Sequence, residues 1–146
     1  MDDQKQKLKR IRPKVGDIFE LSLPDGRYAY GKVFLDASVG IYETIFDSPT
    51  HLPIASSFAF VVGLYKDILT SGTWPIVGHE AFESEEQEWP PPYYIKDVIS
   101  GKFSIYHKGQ IKTSTEEECK GLEQAAVWDA PHVIDRILDL SRTPKK

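Results

Sequence analysis

Cysteine is almost missing from this 146-residue chain, which has one Cys and one Met. A single thiol closes no internal disulfide, and Cys119 lies in the polar run Glu118-Cys119-Lys120 rather than in a paired redox or metal-binding spacing. A reducing cytoplasm is the expected compartment. No apolar run approaches the roughly 20 residues a membrane helix needs, and residues 1–15 carry charges throughout, so neither a membrane span nor a secretory leader is expected. An excess of basic charge is also lacking: 18 Lys+Arg against 22 Asp+Glu give a net charge of −4. That balance disfavours nucleic acid and anionic membranes as partners. At roughly 100–200 residues per domain, the length fits one core. The expected organisation is a basic flexible tail over residues 1–14, a single domain over 15–141 and a short tail over 142–146.

What is present reads first as strands. Ile18 to Leu23 alternates with a period of two, the pattern of a half-buried strand. Pro24-Asp25-Gly26 then supplies a fixed negative φ, a locally hydrogen-bonding carboxylate and a residue free to turn left-handed, which together close a three-residue hairpin. Tyr28, Tyr30, Lys32 and Phe34 alternate with Ala29, Gly31, Val33 and Leu35, so the chain returns antiparallel. Gly31, between large residues, marks a bulge or a close backbone approach. Further strands are expected at 41–46, at 58–64 as a central strand apolar on both faces, and at 74–78 as an edge strand. Pro90-Pro91-Pro92 enforces an extended path. Strands are also expected at 94–99 and 102–106 around Ser100-Gly101, with a further turn and strand over 107–111.

The period changes near the C-terminus. Val133, Ile134, Ile137, Leu138 and Leu140 fall at helical spacing after the cap candidate Asp129 and Pro131, predicting an amphipathic helix over 130–141. Thr115 and Glu118 have capping-box spacing for a short helix before Gly121, and 125–128 reads as extended. The fold class expected is α+β and mostly β: a curled, barrel-like antiparallel sheet with a C-terminal amphipathic helix. Trp74 and Trp128 are expected in or beside the core.

Catalytic patterns are sparse. His51, His79, His107 and His132 lack zinc-ligand spacing, and His79-Glu80 lacks the second half of a metalloprotease motif. Cys119, among Glu116, Glu117 and Glu118, lacks the electropositive surroundings of a nucleophilic thiol. Ser71 and Ser104 have no Gly-x-Ser-x-Gly elbow, and no glycine group forms a phosphate-cradling loop. No catalytic residue, metal or cofactor is expected; an enzyme would need convergent groups, such as His107 with Asp97.

The acidic run is the most distinctive surface feature. Glu80, Glu83, Glu85, Glu86 and Glu88 lie within nine residues, without the EF-hand pattern of a calcium loop. Such a run reads either as a solvated face or as a recognition surface. Recognition gains weight because Trp89, Pro92, Tyr93 and Tyr94 follow at once: aromatics supply buried contact area and carboxylates steer a basic partner. Glu83, Glu85, Glu86, Glu88, Trp89, Tyr93 and Tyr94 are therefore the candidate partner-binding residues.

The segment from Gly16 to Val33 resembles the opening signature of the immunity protein 26 family of bacterial polymorphic toxin systems: a Gly-Asp-x-Phe strand, a Leu-Pro-Asp-Gly turn and a Tyr-x-Tyr-Gly-x-Val strand. Fainter echoes are Ile95-Lys96-Asp97, Ser100 to Phe103, Ala126 to Trp128 and Asp135-Arg136-Ile137. Its motif positions are Gly16, Asp17, Phe19, Pro24, Asp25, Gly26, Tyr28, Tyr30 and Gly31, and their chemistry specifies a hairpin rather than a binding site. The resemblance implies a β-rich cytoplasmic protein, not an enzyme, that binds and blocks a cognate toxin domain; a basic toxin suits the acidic run. A small β-barrel module that takes a peptide or other ligand, with Tyr28 and Tyr30 as an aromatic platform, is the alternative.

Overall fold

The computed structural model describes residues 11–142. Most of the expected basic tail, and residues 143–146 of the C-terminal one, therefore lie outside the described residues.

Strand β1 (Asp17–Ser22) pairs antiparallel with β2 (Tyr28–Val33), Ser22 facing Tyr28 and Ile18 facing Lys32. The turn between them forms as its residues dictate. Gly26 has φ +89°, Leu23 N–H donates to the Arg27 carbonyl at 2.8 Å, and the Asp25 carboxylate accepts from Arg27 N–H at 3.1 Å. Opposite Phe19, Gly31 leaves room for the aromatic ring: a Cβ there would collide with Phe19 and lie 2.9 Å from the Gly40 carbonyl oxygen. Close approach is thus the reason for that glycine. Phe19 in turn stacks on Trp74, centroids 5.5 Å apart.

Next come β3 (Ser38–Tyr42) and β4 (Phe58–Leu64), each antiparallel to its predecessor in the sheet. The strand expected at 41–46 therefore lies earlier. Its ladder begins at Ser38, slips between Ile41 and Tyr42, and leaves Phe46 only an isolated bridge to Tyr28. β4 does occupy 58–64, but its burial alternates. Phe60, Val62 and Leu64 are buried while Ala59 is exposed, and only its last two residues gain a second neighbour.

A one-turn helix α1 (Asp67–Thr70) leads to β5 (Ile76–His79), which lies on the open side of β1 as the expected edge strand. A second sheet contains β6 (Tyr93–Lys96), β7 (Phe103–His107), β8 (Gln110–Ser114) and, after the short helix α2 (Glu116–Cys119), β9 (Glu123–Gln124). Thr115 caps α2 by accepting from Glu118 N–H at 3.1 Å, whereas the Glu118 carboxylate turns to the Ser114 hydroxyl. Finally β10 (Val127–Trp128) runs parallel to β4, and α3 (Ala130–Arg142) closes the described chain.

Strand order is β10-β4-β3-β2-β1-β5 in the first sheet and β8-β7-β6-β9 in the second. The mostly β reading with a C-terminal helix holds, with the strands divided between two sheets, neither closed into a barrel. Two short parallel pairs, β10 with β4 and β6 with β9, interrupt the antiparallel pattern.

Both faces of the six-stranded sheet are covered. One carries Phe19, Leu21, Val39, Ile41, Phe60 and Val62 against Ile68, Leu69 and Trp74 and the α3 residues Val133, Ile137 and Leu138. The other buries Ile18, Tyr30, Tyr42 and Ile54. α3 is amphipathic as its period requires, with Ala130 N–H donating to the Asp129 carboxylate at 2.9 Å. Leu140 departs from the predicted stripe: it is exposed, because the last turn borders an open groove beside Arg27 and Ile45.

Candidate partner-binding surface

The acidic segment is built onto the protein rather than hanging from it. Phe82 lies against Phe34, centroids 4.9 Å apart, and the Lys32 ammonium sits 4.0 Å over the Phe82 ring. That lysine is buried in the first sheet, which lowers its pKa despite nearby Glu80. A 3-10 turn over Glu86–Glu88 follows, and the Glu88 carbonyl accepts from Leu35 N–H at 2.8 Å. On the other side the Glu86 carboxylate pairs with Lys108 at 2.6 Å, which holds it below the usual carboxylate range. Lys108 (φ +54°) and Gly109 (φ +80°) are the left-handed pair of the β7–β8 hairpin turn. The acidic segment thus bridges the two sheets.

The candidate residues separate by accessibility. Glu83, Glu85 and Glu86 are exposed; Glu88 and Trp89 are half-buried beside them. Tyr93 is 6% exposed, its hydroxyl 2.8 Å from that of Ser38 in the first sheet, and burial pushes its pKa up to about 12. It is a joint between the sheets, not an exposed anchor. Tyr94 projects from the opposite face of β6. It lies 6.2 Å from Phe103 and lines a cavity of about 400 Å³ with Cys119 and Leu122. The accessible cluster is therefore Glu83, Glu85, Glu86, Glu88 and Trp89. A strand alternates its faces, so two consecutive tyrosines cannot share one surface.

The motif positions act in folding. Asp17, buried, accepts from Lys14 N–H and lies 2.8 Å from His79 Nδ1, tying β5 to β1. Gly16 (φ +96°) makes room for that ring, since a Cβ there would come within 2.9 Å of His79 Cε1. Tyr30 is fully buried, donating to Glu20 at 2.7 Å and accepting from Thr50 N–H at 2.9 Å; burial raises its pKa. Tyr28 is half-buried against the same cluster. The aromatic platform suggested for these two tyrosines is therefore absent, because the second face of the sheet is covered.

His107 and Asp97 do not meet. The β6–β7 register puts them at opposite ends of the hairpin, where Asp97 instead accepts from Ile99 N–H. Among the described residues no group of three or more His, Cys, Asp or Glu side chains could hold a metal ion. No helix among them is long and apolar enough to cross a membrane.

Three features escaped sequence reasoning. The Lys108–Glu86 pair joins residues 22 apart. Asp36 (φ +63°) and Ala37 (φ +53°) are consecutive left-handed residues at the sheet junction, where Tyr106 donates to Asp36 at 2.8 Å. The third is the tip of the β6–β7 hairpin, whose β-branched residues predict strand; Asp97 to Ser100 instead form a turn closed by Gly101 (φ +76°).

Compared with known proteins, the chain matches a family model described as Immunity protein 26 over residues 14–105. No curated protein and no solved structure matches it.

Proposed function

Because the chain belongs to the immunity protein 26 family, we propose that it binds a cognate toxin domain in the cytoplasm and neutralises it by protein–protein contact, without chemistry of its own. Such families have an immunity function, imply a toxin partner and are generally non-enzymatic. The family match carries the reading.

We place the binding face on Glu83, Glu85, Glu86, Glu88 and Trp89, with Tyr94 at its margin. What supports this placement is that the segment is held at both ends. A docked acidic surface presents its charges in a fixed arrangement, and fixed complementary charge raises association rates toward a basic partner. Trp89 supplies the adjoining aromatic area.

Rapid mixing with the purified toxin domain encoded beside this chain tests both statements. The expected result is nanomolar binding, about −12 kcal/mol, with an association rate that falls steeply as salt rises. Joint substitution Glu83→Gln, Glu85→Gln, Glu86→Gln and Glu88→Gln should slow association about tenfold or more at low salt and flatten the salt dependence. Unchanged association would remove the acidic segment from the interface, and no binding by the unsubstituted chain would contradict the toxin reading itself.

A further inference from the structure

Val98 and Ile99 are 95% and 92% exposed, while the other large apolar side chains exposed among the described residues range from 39% to 64%. Single exposed apolar residues are ordinary. An adjacent β-branched pair at a turn is not, because turns favour Gly, Pro, Asn, Asp and Ser, and this pair touches no core. The turn is also well held. Asp97 N–H donates to the Lys102 carbonyl at 2.9 Å and Gly101 N–H to the Asp97 carbonyl at 2.8 Å. Ile99 N–H donates to the Asp97 carboxylate at 2.9 Å, and Lys102 N–H to the Ser100 hydroxyl at 3.2 Å. Local sequence preference is broken here with no return to the fold, which is the mark of a functional position.

We propose that the Val98–Ile99 tip is the anchor of the toxin interface, seated in an apolar pocket rimmed by carboxylates on the toxin domain. This rests on the toxin-binding reading above. The rim is inferred from charge: exposed Lys96, the last residue of β6, and exposed Lys102, just before β7, outnumber the single Asp97 carboxylate between them, which accepts from Ile99 N–H, and the Lys96 ammonium lies 5.6 Å from the Phe103 ring centroid. The acidic segment pairs with the opposite end of the same hairpin through Lys108. At about 3.3 Å per residue, the five residues of β7 separate the two ends by roughly 17 Å. An interface of standard size, about 800 Å² per partner, is wide enough to span both. The two ends then divide the work: carboxylates govern approach, and the buried pair governs how long the complex lasts. Because the pair meets no core in the free chain, its apolar surface is left whole for the partner to cover.

The test measures dissociation of the same adjacent-gene toxin domain from the full chain. Val98→Ser with Ile99→Ser should raise the dissociation rate roughly tenfold or more, leaving association and its salt dependence unchanged. Thermal midpoint should not move, and Ile99→Leu should retain slow dissociation. If the unsubstituted chain binds and the double variant dissociates at the same rate, the tip is not the anchor. If the unsubstituted chain does not bind, the toxin reading and this assignment fall together. Flotation with phosphatidylcholine–phosphatidylglycerol vesicles separates the remaining case: association lost in the double variant would assign the tip to a lipid surface and overturn the proposal, whereas no flotation supports it.

Discussion

Thr70 buries a hydroxyl that no other described residue answers. The residue is 6% exposed, and among the described residues its Oγ1 has no hydrogen-bond partner. A buried donor left unpaired costs about 1–3 kcal/mol, whereas an apolar group of the same shape carries no such cost. Thr70→Val is therefore expected to hold or raise stability, by up to about 1 kcal/mol, in urea unfolding; a loss beyond about 1 kcal/mol would mean that the hydroxyl is satisfied in solution. Nothing in the residues around position 70 foretold this. Thr70-Ser71-Gly72-Thr73 has the composition of a turn, where a threonine hydroxyl is ordinarily wet. Tyr93 was hidden in the same way. Whether it serves as an anchor or a joint depends on Ser38, fifty-five residues away, and no local pattern encodes that contact.

Elements were legible where their chemistry is local. The Pro24-Asp25-Gly26 turn and the Asp129 cap each follow from two or three neighbouring residues, and the structure contains both; Gly31 between large residues predicts a bulge or a close approach, and the structure makes it a close approach to Phe19. Elements defined by distant pairing were less so. β3 begins at Ser38 because Ser38 pairs with Gly63 of β4 and the next residues, Val39 and Gly40, lie between β2 and β4, although serine and glycine are weak strand formers. The loop entering β3 carries two consecutive left-handed residues, and left-handed backbone costs an L-residue about 1–2 kcal/mol. Asp36 offsets this by accepting from Tyr106, and the Ala37 carbonyl accepts from Leu64 N–H at 3.0 Å, which a glycine would preserve. Ala37 is exposed, so its methyl contributes little. Ala37→Gly is expected to stabilise by about 0.5–1 kcal/mol, less than the full relief because glycine frees the unfolded chain. A lower denaturant midpoint in that variant would contradict the strain assigned to this loop.

For the whole molecule, the division into two sheets is what makes a function readable. The six-stranded sheet is covered on both faces and holds the core, whereas β8 of the second sheet is exposed along most of its length. The family match covers 14–105, which includes the motif hairpin, the acidic segment and the β6–β7 tip. From the sequence, the acidic run was visible as a run of charge, but its anchorage was not, because the Lys108 and Leu35 contacts depend on how the two sheets meet. The central claim, that this chain neutralises a toxin domain by binding it, is tested most directly by growth. Cells that express the adjacent toxin domain are compared with and without this protein. The account predicts arrest without it and full growth with it, the rescue weakened by joint substitution of Val98 and Ile99 by serine. Arrest that persists when this protein is present at equal or higher abundance would contradict the account.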